Sequence, residues 1–155
     1  MKNFNFVLDV DGVLTSGKFL YSSEGKIYKE FGPHDAYSLK KLNRLIHIEF
    51  ISADKRGFSI SEKRVNDMGF NITLVSEDDR FEFINSNFEY DKLFYMGDGD
   101  SDANIIDKAL CGIAPSNARP QALSAADYVT SRIGGEGAVA EACDYIKLNF
   151  FNNSN

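Results

Sequence analysis

The chain has 155 residues, 43% hydrophobic and 26% charged, which is enough for one domain with a core of its own. A formal net charge of −6 argues against a general binder of nucleic acid or of anionic membrane surfaces. The two cysteines, Cys111 and Cys143, form no CxxC pair and make neither a disulfide framework nor a zinc signature, and no apolar run is long enough to span a bilayer.

The first predicted element is a buried parallel strand at Phe6-Val7-Leu8, ending in Asp9-Val10-Asp11-Gly12. No signal-peptide segment precedes it, so a cytoplasmic protein is expected. Two short β-like runs follow, Lys18–Tyr21 and Lys26–Phe31, joined by Ser22-Ser23-Glu24-Gly25. They read as a hairpin, either a flap over the acidic loop or a plain edge hairpin. Gly32-Pro33-His34-Asp35 ends the hairpin and opens a helix with Asp35 as a plausible N-cap and leucines at 39, 42 and 45.

A second strand, His47–Ile51, ends in Ser52-Ala53-Asp54-Lys55, and a helix from about Ser59 to Met68 closes at Gly69. Asn71–Val75 is a third strand. Ser76-Glu77-Asp78-Asp79-Arg80 then opens a helix whose acidic first turn suits its dipole. A fourth strand, Lys92–Met96, ends in a second acidic cluster, Gly97-Asp98-Gly99-Asp100-Ser101-Asp102. Short strands at Leu110–Ala114 and Tyr128–Thr130 flank a helix around Arg119–Ala125. Gly134-Gly135-Glu136-Gly137 leads into a last helix, Ala138–Ile146, and residues 149–155 read as a frayed tail. Alternating strands and helices call for an α/β fold, a doubly wound parallel sheet, with residues 1–148 as a single domain.

In such a sheet, ligands sit beyond the carboxyl ends of the strands. Asp9 and Asp11 lie at one such end, where Gly12 lets the backbone turn and both carboxylates converge. Carboxylates that converge repel unless a cation or a shared proton relieves them, and a hard divalent cation suits an all-oxygen site. An ordinary Asp-Gly turn is the competing reading of those residues alone. The three carboxylates within Asp98–Asp102 are harder to explain by packing. Ser52, at the end of the second strand, is placed to bond a phosphate oxygen or to cap a loop, and Arg80 either aims at the site or is solvated.

Taken in order, DVDGVLT, the hydroxyl of ISADK, a helix cation and YMGDGDSD carry a resemblance to the haloacid-dehalogenase-like (HAD) phosphohydrolase superfamily. The stretches DVDGVLTSGKFLY, KEFGPHDAYSLKKL, EKRVNDMGF and YVTSRIGGEGAVAE are similar to its capless branch, typified by 3-deoxy-D-manno-octulosonate 8-phosphate phosphatase and related nonulosonate 9-phosphate phosphatases. The resemblance implies a HAD-like core with a small β-hairpin flap and no cap domain. It implies a Mg²⁺-dependent phosphatase of sugar-acid phosphates, working through an aspartyl-phosphate in lipopolysaccharide or sialic-acid-like biosynthesis. It also implies a homotetramer in which the hairpins pack together and Gly134–Gly137 and the tail reach a neighbouring site.

Residue by residue, the resemblance implies Asp9 as nucleophile, Asp11 as general acid and base, and Ser52 and Arg80 as phosphoryl contacts. Asp9, Asp98 and the backbone carbonyl of Asp11 would hold Mg²⁺, with Asp102 behind them. Lys55, Arg64 and His34 are candidate contacts to the sugar acid, against ordinary solvated roles. The chain departs from the family pattern at Arg80, where a lysine is usual, at Gly99, and in GPHDAYSL. Arginine keeps the charge but replaces a point ammonium with a planar fork. That substitution keeps open a weakly active or inactive sugar-phosphate-binding or oligomerisation module. A receiver domain is disfavoured, because the strongest aspartate pair follows the first strand rather than the third.

Overall fold

The computed structural model describes residues 2–152. A parallel six-stranded sheet runs through it. Its strands are β1 (Asn5–Asp9), β4 (His47–Ser52), β5 (Asn71–Leu74), β6 (Leu93–Met96), β7 (Cys111–Ala114) and β8 (Tyr128–Val129). The order is β5-β4-β1-β6-β7-β8. The chain therefore builds outward from β1 on one side, then crosses back to add β6, β7 and β8 on the other. This reversal beside β1 is where α/β folds bind ligands. The only interruption is the antiparallel hairpin of β2 (Phe19–Ser22) and β3 (Gly25–Lys29), and among the described residues there is no cap domain.

Successive residues of a strand face opposite sides of its sheet, and β1 uses both. Phe6, Leu8 and Val10 join one core with Leu39 and Leu42 of α1 (Asp35–Leu42), Val65 of α2 (Phe58–Asp67), and Val139 and Ile146 of α6 (Ala138–Ile146). Val7 joins the other core with Tyr95, Ile84 of α3 (Glu77–Asn87), Ile105 and Ile106 of α4 (Ala103–Lys108), and Ala122 of α5 (Pro120–Ala125). Phe6, Val7 and Leu8 are fully buried, each contributing roughly 1.5–3 kcal/mol by leaving water. By the same alternation Asp9 belongs to the face of α3 and Tyr95. Both cysteines are buried and free.

Several local expectations change. Asp35 does not cap its own helix; His34 occupies that position, without a side-chain bond. The buried Asp35 carboxylate instead accepts from Ala140 N–H at 3.0 Å, serving the first turn of α6 across the core. Helix α4 was not expected, because the acidic run before it masked its start. The tail is not frayed at its beginning. Lys147–Phe151 form one π-helical turn, which sets Phe150 and Phe151 on Phe94, with ring centroids 4.9 and 6.2 Å away. The aromatic pair outweighs its polar neighbours. Residues 153–155 lie outside the described part. No helix among the described residues is long and apolar enough to cross a membrane.

Candidate active site

Three acidic side chains meet where β1 and β6 end. Asp9, Asp98 and Asp102 each offer a carboxylate oxygen, all within 4.8 Å of one another. Asp9 comes from the last residue of β1, and register pairs Leu8 with Met96, so the β6 loop starts beside it. The intervening turn needs Gly12. Its φ is +82°, and a Cβ there would lie 1.8 Å from Asp98 Oδ2.

Arg80, one turn into α3, projects to the same point and is 2% exposed. Its Nη1 donates to Asp102 Oδ1 at 2.8 Å and lies 3.4 Å from Asp9 Oδ2. Asp102 also accepts from Tyr95 O–H at 2.5 Å and from the N–H groups of Asp98 and Gly99 at 3.1 and 2.9 Å. With both oxygens so engaged, Asp102 orients Arg80 and the 97–99 loop, and it has little left for an ion. Asp9 Oδ1 accepts from Val10 N–H at 2.8 Å.

Burial is the main cause that raises the carboxyls of Asp9 and Asp98 above their usual range, and Asp102 adds repulsion. For Asp98 the result is about 6. Arg80 lowers both, though not enough to offset burial. The Arg80 guanidinium is itself held more firmly charged, with Asp9 foremost among the causes that outweigh its burial. A buried carboxylate, Asp9, and a half-buried one, Asp98, which one guanidinium does not fully neutralise and whose oxygens lie within 4.8 Å, are a donor set that fits a hard divalent cation.

A cleft of about 580 Å³ opens from this cluster, lined by Asp9, Asp11, Asp98 and Arg80 and walled by Ala53, Asp54, Lys26 and the exposed Glu77 and Asp78. Ser52, fully buried below that wall, accepts from Asp54 N–H at 3.2 Å. The structure thus brings together Asp9, Asp11, Asp98, Asp102 and Arg80, while Ser52, fully buried behind Ala53, is not among the residues that line the cleft. It does not bring His34, Lys55 or Arg64 to the cleft. His34 and Lys55 are exposed on loops, and Arg64 stacks over the Phe31 ring with Cζ 5.8 Å from its centroid.

Sequence reading missed Lys29. Its Nζ lies 2.9 Å from Asp11 Oδ1, 2.8 Å from Asp54 Oδ2 and 2.8 Å from Ser61 Oγ. Lys26 joins at 2.6 Å from Asp54 Oδ2. The signal was hidden by a register shift between Leu20 and Tyr21. It pairs Lys26 with Tyr21 and Lys29 with Phe19, so lysines three apart share a face, where plain alternation separates them.

Asn117 was also missed, a lone amide with no flanking motif. Its Nδ2 donates to Gly12 O at 2.9 Å and its Oδ1 accepts from Gly134 N–H at 2.7 Å. The Gly134–Gly137 stretch packs within its own chain. A Cβ on Gly134 would lie 2.2 Å from Thr15 O, and one on Gly32 would lie 2.3 Å from Gly135 O.

The family model for haloacid dehalogenase-like hydrolases matches residues 82–142. The 3-deoxy-D-manno-octulosonate 8-phosphate phosphatase of Escherichia coli strain K12 is 29% identical over 148 residues, covering 92% of this chain and 78% of the relative. The crystal structure of the phosphatase of that name from Moraxella catarrhalis, in complex with magnesium, phosphate and KDO, superposes with a TM-score of 0.84 at 28% identity, covering 95% and 87%. A structure from Legionella pneumophila, described as a HAD superfamily (subfamily III A) hydrolase, does so at 0.81 with 30% identity, covering 95% and 84%. With likeness of that extent along nearly its whole length, and with acidic strand ends meeting at one point, the chain belongs to the haloacid dehalogenase-like hydrolase superfamily.

Proposed function

We propose that this protein is a Mg²⁺-dependent phosphatase of a sugar-acid phosphate, of the octulosonate 8-phosphate or nonulosonate 9-phosphate type. The observation that carries the reading is the meeting of Asp9, Asp98 and Arg80 at the floor of an open cleft, with Asp11 beside them. Asp9 is the nucleophile: one carboxylate oxygen attacks phosphorus while the bond from phosphorus to the sugar oxygen breaks. Asp11, as the acid, gives its proton to the departing alkoxide. Water then attacks the aspartyl-phosphate and gives a proton to the Asp11 carboxylate. Inorganic phosphate leaves, and Asp9 is restored.

Arg80 and Ser52 hold phosphoryl oxygens, and Asp102 with Tyr95 fixes the guanidinium in place. Asp9, Asp98 and the Asp11 carbonyl would hold Mg²⁺, which when bound would supply positive charge between an anionic nucleophile and an anionic phosphate. The work falls to a single domain, residues 1–148, in the cytoplasm. The assembly proposed is a homotetramer whose hairpins pack together. Support for that comes from Leu20, Tyr21 and Tyr28, whose exposed side chains give the flap an apolar surface.

The test is phosphate release from a panel of such phosphates, with and without Mg²⁺, for wild type and Asp9→Asn. Mg²⁺-dependent release that Asp9→Asn abolishes supports the reading. A folded wild type that releases nothing from any of them refutes it.

A further inference from the structure

Lys29 is the last residue of β3, at the base of a hairpin that is otherwise largely solvent-exposed, yet its side chain is 0% exposed. It reaches both oxygens of Asp11, at 2.9 and 3.1 Å. Among the described residues, no other group donates a hydrogen bond to the Asp11 side chain, which is 30% exposed at the cleft edge. The ammonium is itself fixed by Asp54 and Ser61, at 2.8 Å each. Gly57 leaves the room for it: a Cβ there would lie 2.9 Å from Lys29 Cε and 2.3 Å from Asp54 Oδ2. A two-residue acidic turn has little of its own to fix a carboxylate rotamer, and a buried cation held from three sides does.

We propose that Lys29 is a positioning residue, which holds the Asp11 carboxyl at the angle from which it serves the leaving oxygen and so makes the flap part of the proton-transfer geometry. This rests on the role given to Asp11 above. The hairpin then does more than shade the site, because a flap that lifts away takes with it the group that aims the acid. Proton transfer from a placed acid contributes roughly 10²–10⁴-fold for a poor leaving group such as an alkoxide. A nitrophenolate departs without that help.

The experiment compares kcat/KM on the sugar-acid phosphate of the panel that the wild type turns over best and on p-nitrophenyl phosphate, for wild type, Lys29→Met, Asp11→Asn and the double variant, all with Mg²⁺. Expected for Lys29→Met is a loss of about 10²-fold on the sugar phosphate and of less than about threefold on the aryl phosphate. Adding Lys29→Met to Asp11→Asn should cost nothing further, since the two act through one group. Equal losses on both substrates, or a full further loss in the double variant, overturn the assignment of Lys29 and leave the phosphatase reading standing. Wild type inactive on every phosphate of the panel and on the aryl phosphate overturns that reading and this one with it. Should Lys29→Met fail to fold, Lys29→Gln removes the charge, keeps a hydrogen-bond donor, and reads the same split.

Discussion

Replacing Arg80 with methionine removes the guanidinium that stands between two buried carboxylates. The side chains of Arg80, Asp9 and Asp102 are 3%, 10% and 1% exposed, so water does little to compensate. Removing one partner of a buried pair costs about 3–5 kcal/mol. The lower end applies here for two reasons. Asp102 keeps its bonds from Tyr95 and from two backbone N–H groups, and Asp9, whose carboxyl burial already raises, takes up a proton instead of standing as a bare charge. About 3 kcal/mol, at about 2–4 °C per kcal/mol for a domain of this size, lowers the melting temperature by about 6–12 °C. Circular dichroism melts at pH 7 in EDTA measure it. Arg80→Lys should fall about half as far, because an ammonium keeps the charge and loses the fork that spans Asp9 and Asp102. A methionine variant melting within about 2 °C of wild type would mean that this pair does not hold the folded state together, and the site would need another account of its charges.

Two further outcomes are expected. Gly12→Ala forces a left-handed residue to carry a Cβ, about 1–2 kcal/mol of strain, and pushes Asp98 out of its position, so both melting temperature and calorimetric Mg²⁺ affinity should fall. Unchanged affinity would remove Asp98 from the metal set. Asp54→Asn tests the ion network. Burial raises the Asp54 carboxyl, but hydrogen bonds from Lys26, Lys29 and Gly57 N–H prevail and hold it at about 2, against an ordinary 3.8. A folded value below the unfolded one stabilises the protein above about pH 4, and that contribution is lost as pH falls toward 2. After allowance for its position at the cleft edge it is worth about 1–2 kcal/mol. Denaturant curves should show that gap between wild type and variant at pH 7, narrowing at pH 3.

Much of this was legible because β1 and β6 are continuous apolar runs that end abruptly in carboxylates, and a buried parallel strand allows few other readings. Asp9, Asp11, Asp98 and Arg80 stood at strand or helix ends, where local pattern and position in the sheet coincide. What stayed hidden depended on registers between distant segments. Lys29 reaches Asp11 because of a register shift, Asp35 serves a helix about a hundred residues away, and Asn117 bridges Gly12 to Gly134. None of these has a local signature: the first follows from an irregularity inside the hairpin, and the other two from contacts made only when distant segments pack. The tail misled for the opposite reason. Its polarity was local and real, yet two phenylalanines on Phe94 decided its conformation.

Two kinds of restraint meet on the acidic loop, and they differ in what can loosen them. On one side the restraint is shape: Gly134 lies against the carbonyls of Gly12 and Thr15, and Gly32 against that of Gly135, with Asn117 tying the backbones together. Contacts of that kind have no charge to screen, and no side chain can be inserted into them. On the other side the restraint is charge: Lys26 and Lys29 fasten an exposed hairpin to Asp54 and Asp11. Asp9, the proposed nucleophile, ends β1 just ahead of the loop that backbone packing fixes, whereas Asp11, the proposed acid, lies within that loop and is ion-paired to the hairpin through Lys29. In the proposed mechanism the attacking group would then sit on the packed sheet, while the proton-transferring group is tied to an exposed hairpin.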